Sequence, residues 1–366
     1  MDKKVLVAMS GGVDSAVAAF LSSKSSDECK GLTLKLFDNA DIGLCDDCDN
    51  LALSDIADAK KVCDKIGINH EVLTLKEKFK KCVMDDFTSK YFCGLTPNPC
   101  IQCNKHIKFT EVLAQADKEG FTHMATGHYC SNIFDKESGR YVIKKAVDQS
   151  KDQSYMLYSL SQETLSRVIF PLGGMTKADV RKIAEENGFI NARKKDSQDI
   201  CFIKDGEYKN FLEFNSGKAL CEGNFILPDG SVIGRHKGAP CYTVGQRKGL
   251  GIAWKHPLYV ISKDTENNTV TVGEEGLIFT NRVIVEDVNF QAIEKLSSQR
   301  KASAKLRYHQ AESECTIHPL DDSRVLLEFD KPQRAVTPGQ AAVFYDGEFV
   351  LGGGTIANSE SLRNVE

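Results

Sequence analysis

The sequence predicts an α/β protein: a doubly wound parallel sheet in its first half, followed by two small β-rich domains, the last a β-barrel. Three observations carry that expectation. Apolar strand-like runs alternate with helical stretches as far as about residue 187. Beyond about Asp205 short β-prone runs separated by polar turns take over. The 366 residues, 41% hydrophobic and 27% charged, have an ordinary globular composition and suffice for two or three domains. The expected division is 1–205, 206–280 and 281–366.

The elements follow in order. Val5-Leu6-Val7-Ala8-Met9 is an apolar run stopped by Ser10-Gly11-Gly12, as a buried parallel strand would be. Residues 16–21 read as helix and 31–36 as a second strand. Residues 51–66 form a helix with Ile56, Ala59, Val62, Cys63 and Ile66 on one face. Residues 70–75 read as a third strand, 79–91 and 107–119 as helices, and 123–126 as a fourth strand closed by Gly127. Strands separated by helices of this length imply a parallel sheet covered on both faces. Thr176 caps a helix over 177–186 that Gly188 ends. In the second half, runs at 258–262 and 269–272 flank an Asn267-Asn268 turn, a hairpin signal. Runs at 305–308, 324–328 and 341–345 recur at a spacing suited to a small antiparallel barrel. Residues after Asn358 read as a frayed tail.

Charge and cysteine content exclude several classes. A net charge of −4 rules out a uniformly basic nucleic-acid binder but leaves local basic surface open. Thirteen cysteines fall well short of a disulfide scaffold. The apolar run at the N-terminus soon meets glycines and Asp14, so it is neither a signal peptide nor a membrane span, and no later stretch reaches about 18 apolar residues. A cytoplasmic protein with reduced thiols is expected, with no membrane partner.

Ser10-Gly11-Gly12-Val13-Asp14-Ser15 lies between the first strand and the first helix. Glycines there permit a tight turn whose amide N–H groups face an anion, and the following helix adds its positive end. Ser10 and Ser15 offer hydroxyl donors, and Asp14 is expected to hold Mg²⁺ beside phosphates. No Gly-Lys-Ser/Thr follows, so this is not the usual P-loop, and no GxGxxG is present. Ala125-Thr126-Gly127-His128-Tyr129 ends the fourth strand, where such sheets place ligands.

Two cysteine settings stand out. Cys100-Ile101-Gln102-Cys103 sits in Thr96-Pro97-Asn98-Pro99-Cys100-Ile101-Gln102-Cys103-Asn104, a rigid loop from which Asn104 is expected to cap a helix. A thiol near that helix N-terminus would have its thiolate stabilised. Cys201 lies in Asp196-Ser197-Gln198-Asp199-Ile200-Cys201-Phe202. Cys29, Cys63, Cys82, Cys130, Cys221, Cys241 and Cys315 read as packing residues. Cys45-Asp46-Asp47-Cys48 reads as a polar loop near the nucleotide; zinc shared with Cys100 and Cys103 would need an unusually long spacing.

The SGGVDS loop resembles the pyrophosphate loop of N-type ATP pyrophosphatases, which adenylate a substrate oxygen and release pyrophosphate. Seven runs then resemble, in order, the motifs of bacterial tRNA-specific 2-thiouridylases: 10–15, 96–104, 125–129, Lys151-Asp152-Gln153-Ser154-Tyr155, 196–202, Gly245-Gln246-Arg247-Lys248-Gly249-Leu250-Gly251 and Thr337-Pro338-Gly339-Gln340-Ala341. They span some 330 residues. The resemblance implies an adenine nucleotide alpha hydrolase-like first domain and an enzyme that replaces the 2-oxygen of the wobble uridine in the tRNA anticodon loop with sulfur, consuming ATP with Mg²⁺. It further implies ATP at Ala8, Met9, Ser10, Gly11, Gly12, Val13, Asp14, Ser15, Leu34 and Gly127. Asn98, Pro99 and Cys100 would wall the target base; His128, Lys151, Asp152, Gln153, Arg307, Tyr308 and Gln340 would contact tRNA.

By the same resemblance Cys103 is the nucleophile and Cys201 carries a persulfide, filled by a sulfur-delivery protein or cysteine desulfurase relay. One departure keeps a second scheme open. Many members carry Asp where this chain has Cys100, so Cys100, Cys103 and Cys201 are also three candidate ligands of a [4Fe–4S] cluster. Two readings from other classes remain: an ATP-dependent amidating ligase on the same loop, and a metal-binding or redox protein using the CxxC pairs. Basic residues without acids between them, Arg235, Lys237, Arg247, Lys248, Lys255 and Lys263, then Lys295, Arg300, Lys301, Lys305 and Arg307, are expected to meet phosphates.

Overall fold

In the computed structural model, residues 3–44, 51–194, 199–204 and 207–358 are described. The first sheet contains β1 (Lys4–Met9), β2 (Glu28–Lys35), β3 (Asn69–Thr74), β4 (His123–Ala125) and β7 (Val168–Ile169), in the order β3-β2-β1-β4-β7 with every pair parallel. Alternation along β1 makes both layers. Val5, Val7 and Met9 pack with α1 (Val13–Ser25), α2 (Leu51–Ile66) and α8 (Lys177–Glu186); Leu6 packs on the opposite face with α6 (Phe109–Glu119). β1 lies at the switch point, with β2 on one side and β4 on the other. The crevice beyond their carboxyl ends is therefore where a ligand fits.

Between β3 and β4 the chain is more helical than its periodicity suggests. α3 (Lys76–Phe79) and α4 (Asp85–Phe92) are joined by a π-turn, and α5 (Pro99–Cys103) runs through a second π-turn, Asn104–Lys108, into α6. The helix expected over 107–119 thus begins at Pro99, with Asn98 as its cap. Its side-chain oxygen accepts from Cys100 N at 3.1 Å, and proline suits the first turn. Asn104 is not a cap: it lies inside the helix, 2% exposed, and donates to Met156 O.

The hairpin β5 (Cys130–Asp135) and β6 (Arg140–Lys145) joins a different sheet, where Lys144 pairs with Phe349 of the last strand. That sheet is the barrel of the second half: β12 (Phe279–Phe290), β13 (Arg300–Lys305), β14 (Ser313–Pro319), β15 (Val325–Arg334), β16 (Ala341–Asp346) and β17 (Phe349–Ile356). The order β12-β15-β14-β13-β16-β17 closes through β12–β17. The barrel thus leans on the first half through a strand ladder and a shared core that includes Tyr155, Tyr158, Val343 and Tyr345.

Two details of the second half differ from expectation. Past Asp205 the chain forms α9 (Tyr208–Ser216), whose Phe211 and Leu212 pack with Phe79, Phe87 and Phe202. The middle sheet follows, β8 (Gly223–Ile226), β9 (Val232–His236), β10 (Tyr259–Asp264) and β11 (Thr269–Gly273), in the order β10-β11-β8-β9. The expected hairpin is β10–β11, with Asn268 at φ +50 in its turn. The run at 305–308 is not a strand: β13 stops at Lys305, Leu306 seals the barrel core, and Arg307 and Tyr308 leave on a turn. α7 (Gln162–Ser166) completes the helices described.

Candidate active site

The loop after β1 has the geometry of an anion cradle. Gly11 is at φ +72, where a side chain is strained, and Gly12 starts α1 with its amide end toward the loop. Ser15 Oγ accepts from Ser10 N at 3.1 Å, lies 3.2 Å from Ser10 Oγ and donates to Gly12 O at 3.0 Å, so the loop is held without a ligand. Asn191 donates to Gly11 O at 3.1 Å, and Lys194 bridges Asp55 and Asp58 beside it. Gly127, at the end of β4, abuts the loop: a methyl there would stand 2.7 Å from Asp14 C. Val13 and Met9 are core residues facing α2, Ala8 and Leu34 are partly buried on the other face, and Ser10 is exposed.

Asp14 is tied to other parts of the chain. Its Oδ1 accepts from Tyr129 OH at 2.7 Å, and Lys177 Nζ bonds Oδ1 and Oδ2 at 2.7 and 2.8 Å. Both oxygens are engaged by the protein's own donors, so a Mg²⁺ ion at this carboxylate would share it with, or displace, the Lys177 ammonium. Sequence reading missed Lys177 because it stands 163 residues away, at the start of α8.

The cysteines form the second part of the site. Cys100 and Cys103 lie three apart on α5, and Cys201 is on the short segment 199–204, pinned by Phe202 and Ile203 in the core beneath. Cys100 and Cys201 are exposed and Cys103 partly so. Burial nonetheless pushes the Cys103 thiol up to about 11 and that of Cys201 to about 12, with Cys103 and Cys100 close enough to raise Cys201 further. Each of these thiols thus reaches the surface on one side while packed protein surrounds it on the others. The expected stabilised thiolate is therefore not found. The helix starts at Pro99, a turn before Cys103, and dehydration outweighs its dipole.

Lys108 opposes that shift. It lowers the thiol of Cys100, Cys103 and Cys201, and it helps hold the His128 imidazole neutral, well below its usual range, after burial itself. One ammonium thus faces all three thiols and the end of β4. The π-turn sets this register, and the sequence by itself does not single out Lys108 from Lys105, two residues past Cys103. His128 also stacks on Phe109, with ring centroids 5.8 Å apart, and its Nδ1 is 2.8 Å from Thr126 Oγ1.

The barrel packs against the cysteine segment. Gln340 Nε2 donates to Thr96 O at 2.7 Å and Thr96 N to Pro338 O at 2.9 Å, so the turn 337–340 grips the residues leading into Asn98-Pro99-Cys100. Tyr308 rests against Tyr155 and lies near enough to Cys100 and Asp152 that both reinforce the rise in its pKa caused mainly by burial. Arg307 does not point away as a surface cation: its guanidinium bonds Ala335 O and Thr337 Oγ1, the latter at 2.8 Å. Asp152, 8% exposed, accepts from Ala146 N and Ser154 Oγ; Gln153 Oε1 accepts from Tyr129 N at 3.0 Å; Lys151 N donates to Asp148 O. Asp152 and Gln153 therefore brace the turn behind His128.

The basic strips fare unequally. Lys295, Arg300 and Lys301 pair with Asp322, Asp346 and Asp330, and Lys305 approaches Glu312 at 4.0 Å. Strand pairing brings those acids from elsewhere in the chain. Lys263 is also not a surface cation: its Nζ is buried without a hydrogen-bond partner among the described residues, 5.8 Å over the Tyr91 ring, and burial lowers it to about 8. Arg247, Lys248 and Lys255 have no ion pair among the described residues.

Among the cysteines read as packing, Cys63, Cys130 and Cys315 are buried, Cys29, Cys82 and Cys241 partly so, and Cys221 is exposed. Among the described residues no group of three or more His, Cys, Asp or Glu converges as a metal site. Cys100, Cys103 and Cys201 thus do not present an assembled set for an iron–sulfur cluster. Cys45 and Cys48, Asp196, Ser197 and Gln198, and the tail from residue 359 lie outside the described residues. No described helix is long and apolar enough to cross a membrane.

Comparison with known proteins agrees with this layout. Residues 3–205 match the tRNA methyl transferase HUP domain, 209–274 the tRNA methyl transferase PRC-barrel domain and 280–356 the aminomethyltransferase beta-barrel domain. The chain is 44% identical to the tRNA-specific 2-thiouridylase MnmA of Acetivibrio thermocellus, covering 97% of this chain and 99% of that one. It is 44% identical to the Clostridioides difficile protein of the same name, over 98% and 99% of the two chains. It is 45% identical to MnmA 2 of Caldanaerobacter subterraneus, over 97% and 98%. With three domain models matched in order and such similarity end to end, the chain belongs to the tRNA-specific 2-thiouridylase family.

Proposed function

We propose that this protein thiolates the 2-position of the wobble uridine in tRNA, using ATP to activate the oxygen and an enzyme persulfide to supply the sulfur. The observation that supports the reading is that Cys103 lies near enough to Cys201 to raise its thiol, on a helix whose approach through Thr96 is held by a barrel turn. The uridine O2 attacks the α-phosphorus of ATP and pyrophosphate leaves, so the carbon bears an adenylate in place of a poor leaving oxygen. The Ser10–Ser15 backbone and the start of α1 cradle the phosphates. The target base leaves its stack to reach this chemistry and is received between the Asn98-Pro99-Cys100 wall and Tyr308.

Sulfur arrives on Cys201 as a persulfide from a sulfur-delivery protein or desulfurase relay. In one order, the Cys103 thiolate attacks the Cys201 sulfur, expels hydrosulfide and leaves a Cys103–Cys201 disulfide; hydrosulfide then attacks C2 and AMP departs. In the other, the terminal persulfide sulfur attacks C2, AMP departs, and Cys103 displaces the thiolated base by forming the same disulfide. Both orders need these two thiols within bonding reach. Donors for a three-cysteine cluster are not converged, so no step is routed through one. Domain limits of 1–205, 206–280 and 281–366 suit this division of labour: activation in the first, RNA grip in the others.

Incubation with ATP, a persulfide donor and unmodified tRNA, followed by nucleoside analysis, tests the proposal. 2-Thiouridine is expected with the wild type and is lost in both Cys103→Ser and Cys201→Ser, while tRNA-dependent ATP–pyrophosphate exchange persists. An amidating ligase would keep full turnover in both variants.

A further inference from the structure

The loop 245–256 leaves the middle sheet and carries a side chain that its own domain does not use. Gly245, Gly249 and Gly251 are at φ +84, +78 and +69, so the chain turns where only glycine is comfortable. Its root is fixed. Gly245 N donates to Val260 O at 2.8 Å, Val260 N to Gln246 O at 3.0 Å, and Gln246 Nε2 to Lys248 O at 3.0 Å. Leu250 and Ile252 pack into the cluster around Phe225 and Val260. With the core thus filled, Trp254 stands 42% exposed at an open recess lined by Ala253, Trp254 and Lys255.

Charge singles out the occupant. Among the described residues Arg247, Lys248 and Lys255 make no ion pair, whereas Arg235 is met by Glu222 and the barrel cations Lys295, Arg300 and Lys301 by acids. An indole face beside the unneutralised Lys255, on a loop that also carries Arg247 and Lys248, suits a nucleotide: the base stacks and its phosphates meet the charges. The loop is also joined to the cysteine segment. A methyl at Gly245 would stand 2.3 Å from Ala335 Cβ, and Ala335 O is gripped by Arg307, next to Tyr308 at Cys100.

We propose that Trp254 is a stacking platform for an unpaired base of the RNA substrate, with Arg247, Lys248 and Lys255 holding phosphates beside it. This rests on the tRNA reading above and adds a second grip, separate from the target-base pocket. It assigns Trp254 to substrate binding, with no part in the sulfur chemistry.

Trp254 is the one tryptophan in the sequence, so tryptophan emission, excited at the red edge where tyrosine does not absorb, reports this position alone. Titration of the full-length protein with unmodified tRNA should quench that emission, saturating at the concentration where activity saturates. Trp254→Ala should raise the KM for tRNA about 5- to 150-fold at unchanged kcat and melting temperature, with Trp254→Phe keeping most of the affinity. Arg247→Ala and Lys255→Ala should each lower the salt slope of binding by about 1. Unmoved emission at saturating tRNA, or a wild-type KM in Trp254→Ala, overturns the platform while leaving thiolation intact. A variant with normal tRNA affinity that turns over from sodium sulfide but not from a protein persulfide donor overturns it in favour of a protein-docking role. Wild-type protein that neither binds nor thiolates tRNA refutes the underlying function instead.

Discussion

Lys177 Nζ bonds both carboxylate oxygens of Asp14, at 2.7 and 2.8 Å, from a residue only 9% exposed. The pair ties the first turn of α8 to the phosphate loop. Tyr129 completes it by donating to the same Oδ1. Removing one member leaves a charge stranded in a poorly hydrated site.

The first prediction is therefore a coupled one. Asp14→Ala should cost about 2–4 kcal/mol of stability, and Asp14→Ala with Lys177→Met should cost less than the sum of the singles. Urea unfolding of the four proteins measures the cycle. Strict additivity would show that the contact carries no coupling energy. Lys177→Met should also raise the KM for ATP, since the loop loses its anchor.

Lys108 supplies the second. It is the cation common to Cys100, Cys103 and Cys201, acting against a burial effect that holds the thiols protonated at neutral pH. The thiolate is the charged form, so losing the cation raises thiol pKa further. Lys108→Met should move the pH–rate profile of single-turnover thiolation to higher pH and slow it about 3- to 10-fold at pH 7.5. Lys108→Arg should restore the profile. A uniform loss at every pH would mean a packing defect.

Gly339 gives a third. At φ +88, with any added methyl 2.9 Å from Thr96 N and from Leu95 Cβ, it lets the barrel turn lie flat against the cysteine loop. Gly339→Ala should push that loop off register and cut thiolation at least tenfold, with ATP binding unaffected. Equal losses in both would place the damage elsewhere.

A fourth concerns Lys263, whose folded-state pKa of about 8 lies below the usual lysine range because its ammonium is dehydrated over Tyr91. Below pH 8 the residue is charged in both folded and unfolded chains, and the full burial penalty opposes folding. Between about 8 and 10.5 the folded chain sheds the proton first and the penalty fades. Lys263→Met should thus stabilise the protein by about 2 kcal/mol at pH 7, and the gain should shrink as the pH approaches 10. A melting-temperature gap that is constant with pH would sink the idea.

Much of the site was legible in linear order. Ser10 to Ser15, Asn98 to Cys103 and Gly127-His128 announce themselves because phosphate loops, helix caps and strand ends are local devices. Arg307 shows the limit. A basic residue in an acid-free run reads as a phosphate contact, yet its guanidinium bonds Ala335 O and Thr337 Oγ1, neither of them acidic. The charges of Lys295, Arg300 and Lys301 are likewise cancelled by acids brought in by the barrel. Strand identity misled at 305–308, where apolar Leu306 belongs to the core but Arg307 turns to bind Ala335 O and Thr337 Oγ1 and Tyr308 turns toward Cys100.

By itself the sequence determined the alternating layers, the glycine turn after β1 and the rigid approach to Cys100 and Cys103, because periodicity, glycine placement and proline act over a few residues. The tertiary structure alone decided what surrounds them. Lys177 reaches Asp14 across 163 positions and Gln340 reaches Thr96 across 244. The thiols of Cys103 and Cys201 are raised by packing from elements distant in the chain. Protonation and charge pairing depend on distance and dehydration in space, and no local pattern of residues encodes either.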